Sequence, residues 1–180
     1  MNVKIKRVRD GAIPPKYATD GAAGFDLYAA KDVIIEPGET VIVPTGWTFE
    51  IPRGYEMQIR PRSGITVRTK LRIANSPGTV DRDFRGEVGI IVDHTGQDRS
   101  LGGGYLFTVT GGITHVSTCL YEWDNFENGS HFIRKGDRIA QGVLAPVERA
   151  AFEVVEELTG TKRGAAGYGS TGTNDEREDE

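Results

Sequence analysis

A chain of 180 residues with 37% hydrophobic content has enough apolar mass for one modest core, so a single domain is the default. The net charge of −4 argues against the basic footprint of a nucleic-acid binder, and no apolar run approaches the roughly 18 residues of a membrane-spanning helix. Cys119 is the only cysteine, so no disulfide can form within the chain, which fits a reducing compartment such as the cytoplasm.

Along the chain the dominant signal is apolar alternation with a period of two, cut by Gly and Pro. The N-terminus, 1–6, alternates like a strand and lacks the apolar stretch of a signal peptide. Val33 to Ile35 ends at the turn signature Glu36 to Glu39, and Val41 and Val43 alternate before Pro44 to Gly46. Trp47, Phe49 and Ile51 form the next alternating set, then Tyr55, Met57 and Ile59 after Pro52 to Gly54. These sets predict half-buried antiparallel strands. Ile65 to Leu71 offers one or two helical turns, and Ile139 to Val147 is a late apolar run. Many short strands with frequent turns predict an all-β sandwich, jelly roll or barrel.

Two segments stand apart from this pattern. Residues 93–134 read as a long excursion with a small hairpin of its own around Tyr105 to Val109 and Gly111-Gly112. Residues 160–180 are Gly-rich and then acidic, as expected of a solvated tail. The expected division is a β domain over 1–159, carrying the excursion, and a flexible C-terminal arm over 160–180. Glycine, at 24 residues about twice its usual share, points to tight turns or to backbone held close to a ligand.

The richest stretch is Asn75 to Glu87, where a Pro-Gly pair and two aspartates lie between the apolar runs 71–73 and 88–92. It predicts a hairpin presenting bare backbone, the carboxylate of Asp81 and the ring of Phe84. Main-chain groups there suit a small planar ligand, and a placed carboxylate can orient or deprotonate a water. Asp81 and Asp83 are also ordinary turn formers. Arg62, Ser63 and Gly64 follow a strand and open a helical turn, a setting that suits an anion but equally a solvated turn. Residues 163–172 combine Arg163, Tyr168, Ser170, Thr171 and glycines, which suits phosphate oxygens and a stacked base, or else a flexible linker. No Gly-Lys-Ser/Thr follows, so this is not a Walker loop. His94, His115, Cys119 and His131 lack a second pair at zinc spacing, and no Gly-x-Ser-x-Gly marks a serine hydrolase.

Taken in order, Ala22 to Ala30, Pro61 to Gly64, Asn75 to Val88, Gly136 to Gln141 and Arg163 to Gly172 resemble the five motifs of the homotrimeric dUTPase family. The resemblance implies a jelly-roll-like distorted β-barrel with one very short helix, and a trimer whose sites draw motifs from three chains. It implies cleavage of dUTP to dUMP and pyrophosphate, with Mg²⁺ held by the triphosphate rather than by the protein. That reaction would lower dUTP and supply dUMP for thymidylate synthesis. Asp81 would hold the attacking water. Asn75 and the backbone of Gly78, Thr79 and Val80 would read uracil, with Tyr168 stacked on it. Phe84 would pack under the deoxyribose and exclude a 2′-hydroxyl. Arg62, Ser63, Gly64 and Gln141 would bind phosphates, and Arg163, Gly169, Ser170 and Thr171 would close over the β and γ phosphates. Asp26 would support the site.

The sequence departs from the family pattern in several places. Phe84 stands for the usual Tyr and Tyr168 for the usual Phe, so both rings are kept. Ala166 replaces a common Gly, and Gly142 follows Gln141 where an apolar residue is usual. The excursion over 93–134 resembles insertions of some phage members, which points to a phage-type protein acting in its host's cytoplasm. Two rival functions remain. One is a dCTP deaminase of the same fold. The other is a regulatory module that binds a protein partner through the excursion, with Tyr121, Trp123 and Phe126 as anchors unless they pack on the β domain. Neither nucleic acid nor membrane is expected as a partner.

Overall fold

The computed structural model describes residues 1–96, 104–115 and 126–167. They fall into two compact units, 1–148 and 149–180. The first unit carries β1 (Lys4–Arg7), β2 (Lys16–Tyr17), β3 (Phe25–Tyr28), β4 (Val33–Ile35), β5 (Thr40–Pro44), β6 (Trp47–Glu50) and β7 (Tyr55–Pro61). There follow α1 (Ser63–Arg68), β8 (Leu71–Ile73), β9 (Gly78–Val80), β10 (Gly89–His94), β11 (Tyr105–Thr108), β12 (Ile113–His115), β13 (His131–Ile133) and β14 (Arg138–Pro146). The fold is all-β, with one six-residue helix among the described residues. No described helix is long and apolar enough to cross a membrane.

The strands form sheets in the orders β1-β6, β5-β10-β8, β12-β11-β13-β4 and β2-β3-β14-β7-β9. The alternation read from sequence does what period-two patterning demands. Val43, Phe49, Met57, Ile59, Ile90 and Val92 all turn into one core. The apolar runs 71–73 and 88–92 do pair, with Val92 opposite Ile73, but the connection between them is not a bare hairpin. Its Gly78–Val80 segment leaves that sheet and adds to β7 in another.

The longest pairing, β14 on β7, runs from Ala140 opposite Pro61 to Pro146 opposite Tyr55. Gly142 sits in this strand opposite Phe25 of β3. A Cβ at Gly142 would overlap the Phe25 ring and crowd Met57. The ring therefore fills the space that an apolar side chain would otherwise take, which explains the departure at this position.

The excursion is rooted in the parent sheets at both ends. Asp93 and His94 finish β10, and residues 131–133 form β13 against β4. The expected small hairpin is present as β11 and β12, but β11 also pairs with β13 in parallel, which alternation could not foretell. Two buried imidazoles close the root. Gly96 N donates to His94 Nδ1 at 3.1 Å, so the ring proton of the uncharged imidazole sits on Nε2. That atom lies 2.8 Å from His131 Nδ1 and 3.1 Å from the Gly129 carbonyl. Of the three aromatic anchors, Phe126 is half-buried, and Tyr121 and Trp123 lie outside the described residues.

In the second unit, residues 149–167 carry no strand or helix. Phe152, Val154 and Leu158 are 94%, 99% and 88% exposed. Arg163 and Ala166 close a turn, Ala166 N donating to Arg163 O at 3.2 Å, and Ala166 does not adopt a positive φ.

Candidate active site

The phosphate-type residues converge around Asp26. Register puts Asp26 of β3 opposite Gln141 of β14, and Gln141 opposite Arg60 of β7. Phe25 and Leu27 flank Asp26 and point to the opposite face of the sheet, as strand alternation requires. Asp26 is 2% exposed, and a buried carboxylate needs counter-charge. Arg138 Nη1 donates to its Oδ2 at 3.3 Å. Arg62 Nε lies 3.1 Å from Oδ1, within ion-pair distance but off the hydrogen-bond line, so that oxygen has a charge beside it and no aligned donor. Arg62 Nη1 also donates to the Arg138 carbonyl at 3.2 Å.

Two guanidiniums thus share one carboxylate. The cluster keeps a net positive charge, and each arginine has further N–H donors to offer an anion. Ser63 and Gly64 follow directly at the exposed start of α1, whose first turn is held by Ile65 N and Thr66 N donating to the Arg62 carbonyl, both at 3.1 Å. Arg138 was not singled out in the sequence. Its signal was its place between Gly136 and Gln141, in a motif with no other arginine.

The second group is the hairpin. Strand β9 is buried at Gly78 and Val80 and exposed at Thr79. It pairs with β7 on one side only, so among the described residues its outer backbone edge is unpaired. The Asn75 side chain folds over Gly78, where a Cβ would lie 3.1 Å from Nδ2. Beyond β9 the chain turns tightly, with Phe84 N donating to Asp81 O at 3.2 Å. Arg85 Nη1 ties the same turn through the carbonyls of Arg82 (2.7 Å) and Phe84 (3.0 Å). Asp81 is exposed, with no side-chain partner among the described residues, and Phe84 is 45% exposed.

The hairpin's exit is fixed by Glu87, another residue the sequence did not single out. One carboxylate oxygen, Oε1, accepts from Arg9 Nε at 2.7 Å and from Gly46 N at 2.8 Å. The Arg9 hydrogen bond, helped by the Gly46 N–H, holds the Glu87 carboxyl below its ordinary value of 4.5 against the opposing effect of burial.

The two groups stand apart within one chain. Val80 is opposite Met57, whereas Gln141 is opposite Arg60, three residues further along β7 and on its other side. Sheet spacings put Val80 and Gln141 about 14 Å apart. No residue of either group lines the cavity of about 490 Å³ between α1 and the excursion root. Arg163 belongs to the second unit, and Tyr168, Gly169, Ser170 and Thr171 lie outside the described residues. Among the described residues, no three His, Cys, Asp or Glu stand together to hold a metal ion.

An exposed carboxylate at the end of a backbone edge and, apart from it, a cluster of arginines with spare N–H donors would suit a polyphosphate ester and its hydrolysis. A family model for dUTPase matches residues 10–99 and 118–172, leaving out part of the excursion. The chain belongs to the dUTPase family, and its curated relatives are nucleotidohydrolases. It is 41% identical to the deoxyuridine 5'-triphosphate nucleotidohydrolase of Nautilia profundicola over 96% of this chain and 99% of that one. It is 42% identical to the same enzyme from an Anaeromyxobacter species, over 96% and 98%.

Among solved structures, the dUTPase of Staphylococcus bacteriophage 80alpha, a variant determined with dUpNHpp, superposes with a TM-score of 0.83 at 28% identity, covering 96% and 99%. A dUTPase from phage phi11 of S. aureus, described for its species-specific insert, gives 0.77 at 26% identity, covering 88% and 98%. A variant of the phi11 enzyme is described as coordinating a structural Mg(II) ion. These likenesses agree with the phage-type reading of the sequence, although the curated relatives are bacterial and are matched over almost their whole length.

Proposed function

We propose that the chain hydrolyses dUTP to dUMP and pyrophosphate as a homotrimer, each site taking its arginine cluster, its hairpin and its arm from different chains. The observation that carries this reading is the edge of β9, free among the described residues, leading directly into Asp81, which has no side-chain partner among them. Asn75 and the outer backbone of Gly78 to Val80 pair with the edge of uracil. A backbone N–H facing uracil O4 would face the amino group of cytosine instead. One unpaired buried polar group costs about 1–3 kcal/mol, enough to reject cytosine by one to two orders of magnitude.

Phe84 packs under the sugar and leaves no room for a 2′-hydroxyl. Asp81 accepts a proton from a water aimed at the α-phosphorus. Arg62, Ser63, Gly64 and Gln141 bind the phosphates, with Asp26 and Arg138 fixing Arg62. Arg163 of the arm, with Tyr168, Gly169, Ser170 and Thr171, covers the nucleotide and keeps bulk water out.

Mg²⁺ takes oxygen ligands. When bound, the ion would take oxygens of the triphosphate and would supply positive charge for the leaving pyrophosphate. The place of Arg163 in the second unit supports assembly of the site across subunits. So do Phe152, Val154 and Leu158, apolar side chains left without cover in a lone chain. The cytoplasm is the proposed location, supported by a single cysteine that cannot pair within the chain.

The test is a nucleotide panel with pyrophosphate detection, run with and without Mg²⁺ alongside sedimentation. Pyrophosphate from dUTP alone, Mg²⁺-dependent and from a species of three chains, is expected. Ammonia from dCTP without pyrophosphate would replace the reading with a deaminase, and an active monomer would overturn the shared site.

A further inference from the structure

We infer that Gly86 is a positioning residue: it sets the place of the Phe84 ring and, through the ring, the preference for deoxyribose over ribose. The inference rests on the assignment of Phe84 to the sugar made above. A Cβ built on Gly86 would lie 2.6 Å from Phe84 Cζ, 2.9 Å from Cε2 and 3.4 Å from Cε1. All three nearest atoms belong to that one ring, so the ring rests directly on the glycine's backbone.

Nothing else at this position asks for glycine. Gly86 does not have a positive φ, so alanine fits its backbone, and the ring is the obstacle. Carbon contacts relax at about 3.5–4.0 Å, so an added methyl forces a displacement of about 1 Å.

The backbone cannot absorb that displacement easily. Phe84 N is held by Asp81 O, its carbonyl by Arg85 Nη1, and Glu87, which follows the glycine, by Arg9 and Gly46. The ring itself, 45% exposed and free on its outer side, is the part that gives. A ring lifted off the loop no longer presents a fixed face to C2′ of the sugar, and the space that bars a 2′-hydroxyl changes. A methyl-sized change in such a pocket alters discrimination by about 10-fold or more. Phe84 carries no hydroxyl that could tether it elsewhere, so its support from below matters more.

The experiment compares kcat/KM for dUTP and UTP in the full-length protein and in Phe84→Ala, Gly86→Ala and the double variant, with a melting temperature for each. Phe84→Ala is expected to collapse the dUTP preference. Gly86→Ala is expected to lower it about 10-fold with the melting point little changed. The double variant should match Phe84→Ala alone, because the methyl has no ring left to displace. A Gly86→Ala protein with an unaltered dUTP to UTP ratio, when Phe84→Ala has lost it, overturns the inference and leaves the sugar assignment standing. An unaltered ratio in Phe84→Ala removes the sugar assignment and the inference together. If Gly86→Ala does not fold, the double variant decides: folding like Phe84→Ala supports the ring as the obstacle, and failure there too overturns it. Additive losses in the double variant also overturn it.

Discussion

Asp26 and Asp81 carry the same side chain in opposite circumstances. Asp26 is 2% exposed and lies between two guanidiniums in the middle of a five-stranded sheet. Asp81 stands in solvent at the end of an edge strand with no side-chain partner among the described residues. A carboxylate already committed to two cations has little capacity left for a reacting water. One held only by its backbone keeps all its lone pairs. Asp26 is thus placed to organise charge, and Asp81 is free for the catalytic part proposed for it.

The largest effect should come from the exposed member. Asp81→Asn is expected to lower kcat by about 10²- to 10⁴-fold, since the amide cannot take the water's proton. Calorimetry with a non-hydrolysable dUTP analogue should still show near-normal affinity. Near-normal turnover would end the distinction between the two acids.

Truncation before Arg163 should come next, lowering the rate about 100-fold by removing a cation from the developing charge. The melting point should move little; a sharp drop would make the arm a structural element instead. Asp26→Asn should be felt mainly in stability. It leaves Arg62 and Arg138 without their shared counter-charge, but both guanidiniums reach solvent, so the cost in urea unfolding is about 1–2 kcal/mol. A stability loss no larger than that of Asp81→Asn would show that the pairing is incidental.

The smallest effect belongs to Glu87, whose partner Arg9 is half exposed. Its pKa is lowered in the fold, so its stabilisation is present above the ordinary carboxylate value and disappears as pH falls through the lowered one. Glu87→Gln should cost below about 1 kcal/mol at pH 7 and nothing at the acid end. Asp137 runs the other way, because burial raises its pKa and its contribution becomes more favourable as pH falls through that raised value. The difference between the Glu87→Gln and parent pH–stability curves cancels it and isolates Glu87.

The sequence disclosed the strands whose faces differ in exposure. Val41/Val43, Trp47/Phe49 and Tyr55/Met57/Ile59 alternate because one face is solvated. It was silent on β3, where Phe25-Asp26-Leu27 alternates over too few residues to read and both faces are buried. The parallel pairing of β11 with β13 joins segments far apart in sequence and leaves no local trace. The proposed site residues come from ordered motifs, but their supports left no such signal. Arg138 beside Asp26 and Glu87 beside Arg9 are ion pairs, and Gly86 under Phe84 is a ring on backbone, all contacts that only a folded chain brings together.

The histidine pair at the root of the excursion has an evolutionary corollary. His94 and His131 join the last residue before the loop to the first residue after it, tying two sheets at a neck about as wide as one hydrogen bond. Between β12 and β13 a longer splice pays its closure entropy only weakly with length, whereas β11, paired with β13 and followed by Val109 in the core, is held to the parent fold. The fold can thus trial new loop lengths and contents there while its chemistry, anchored on other strands, is inherited intact.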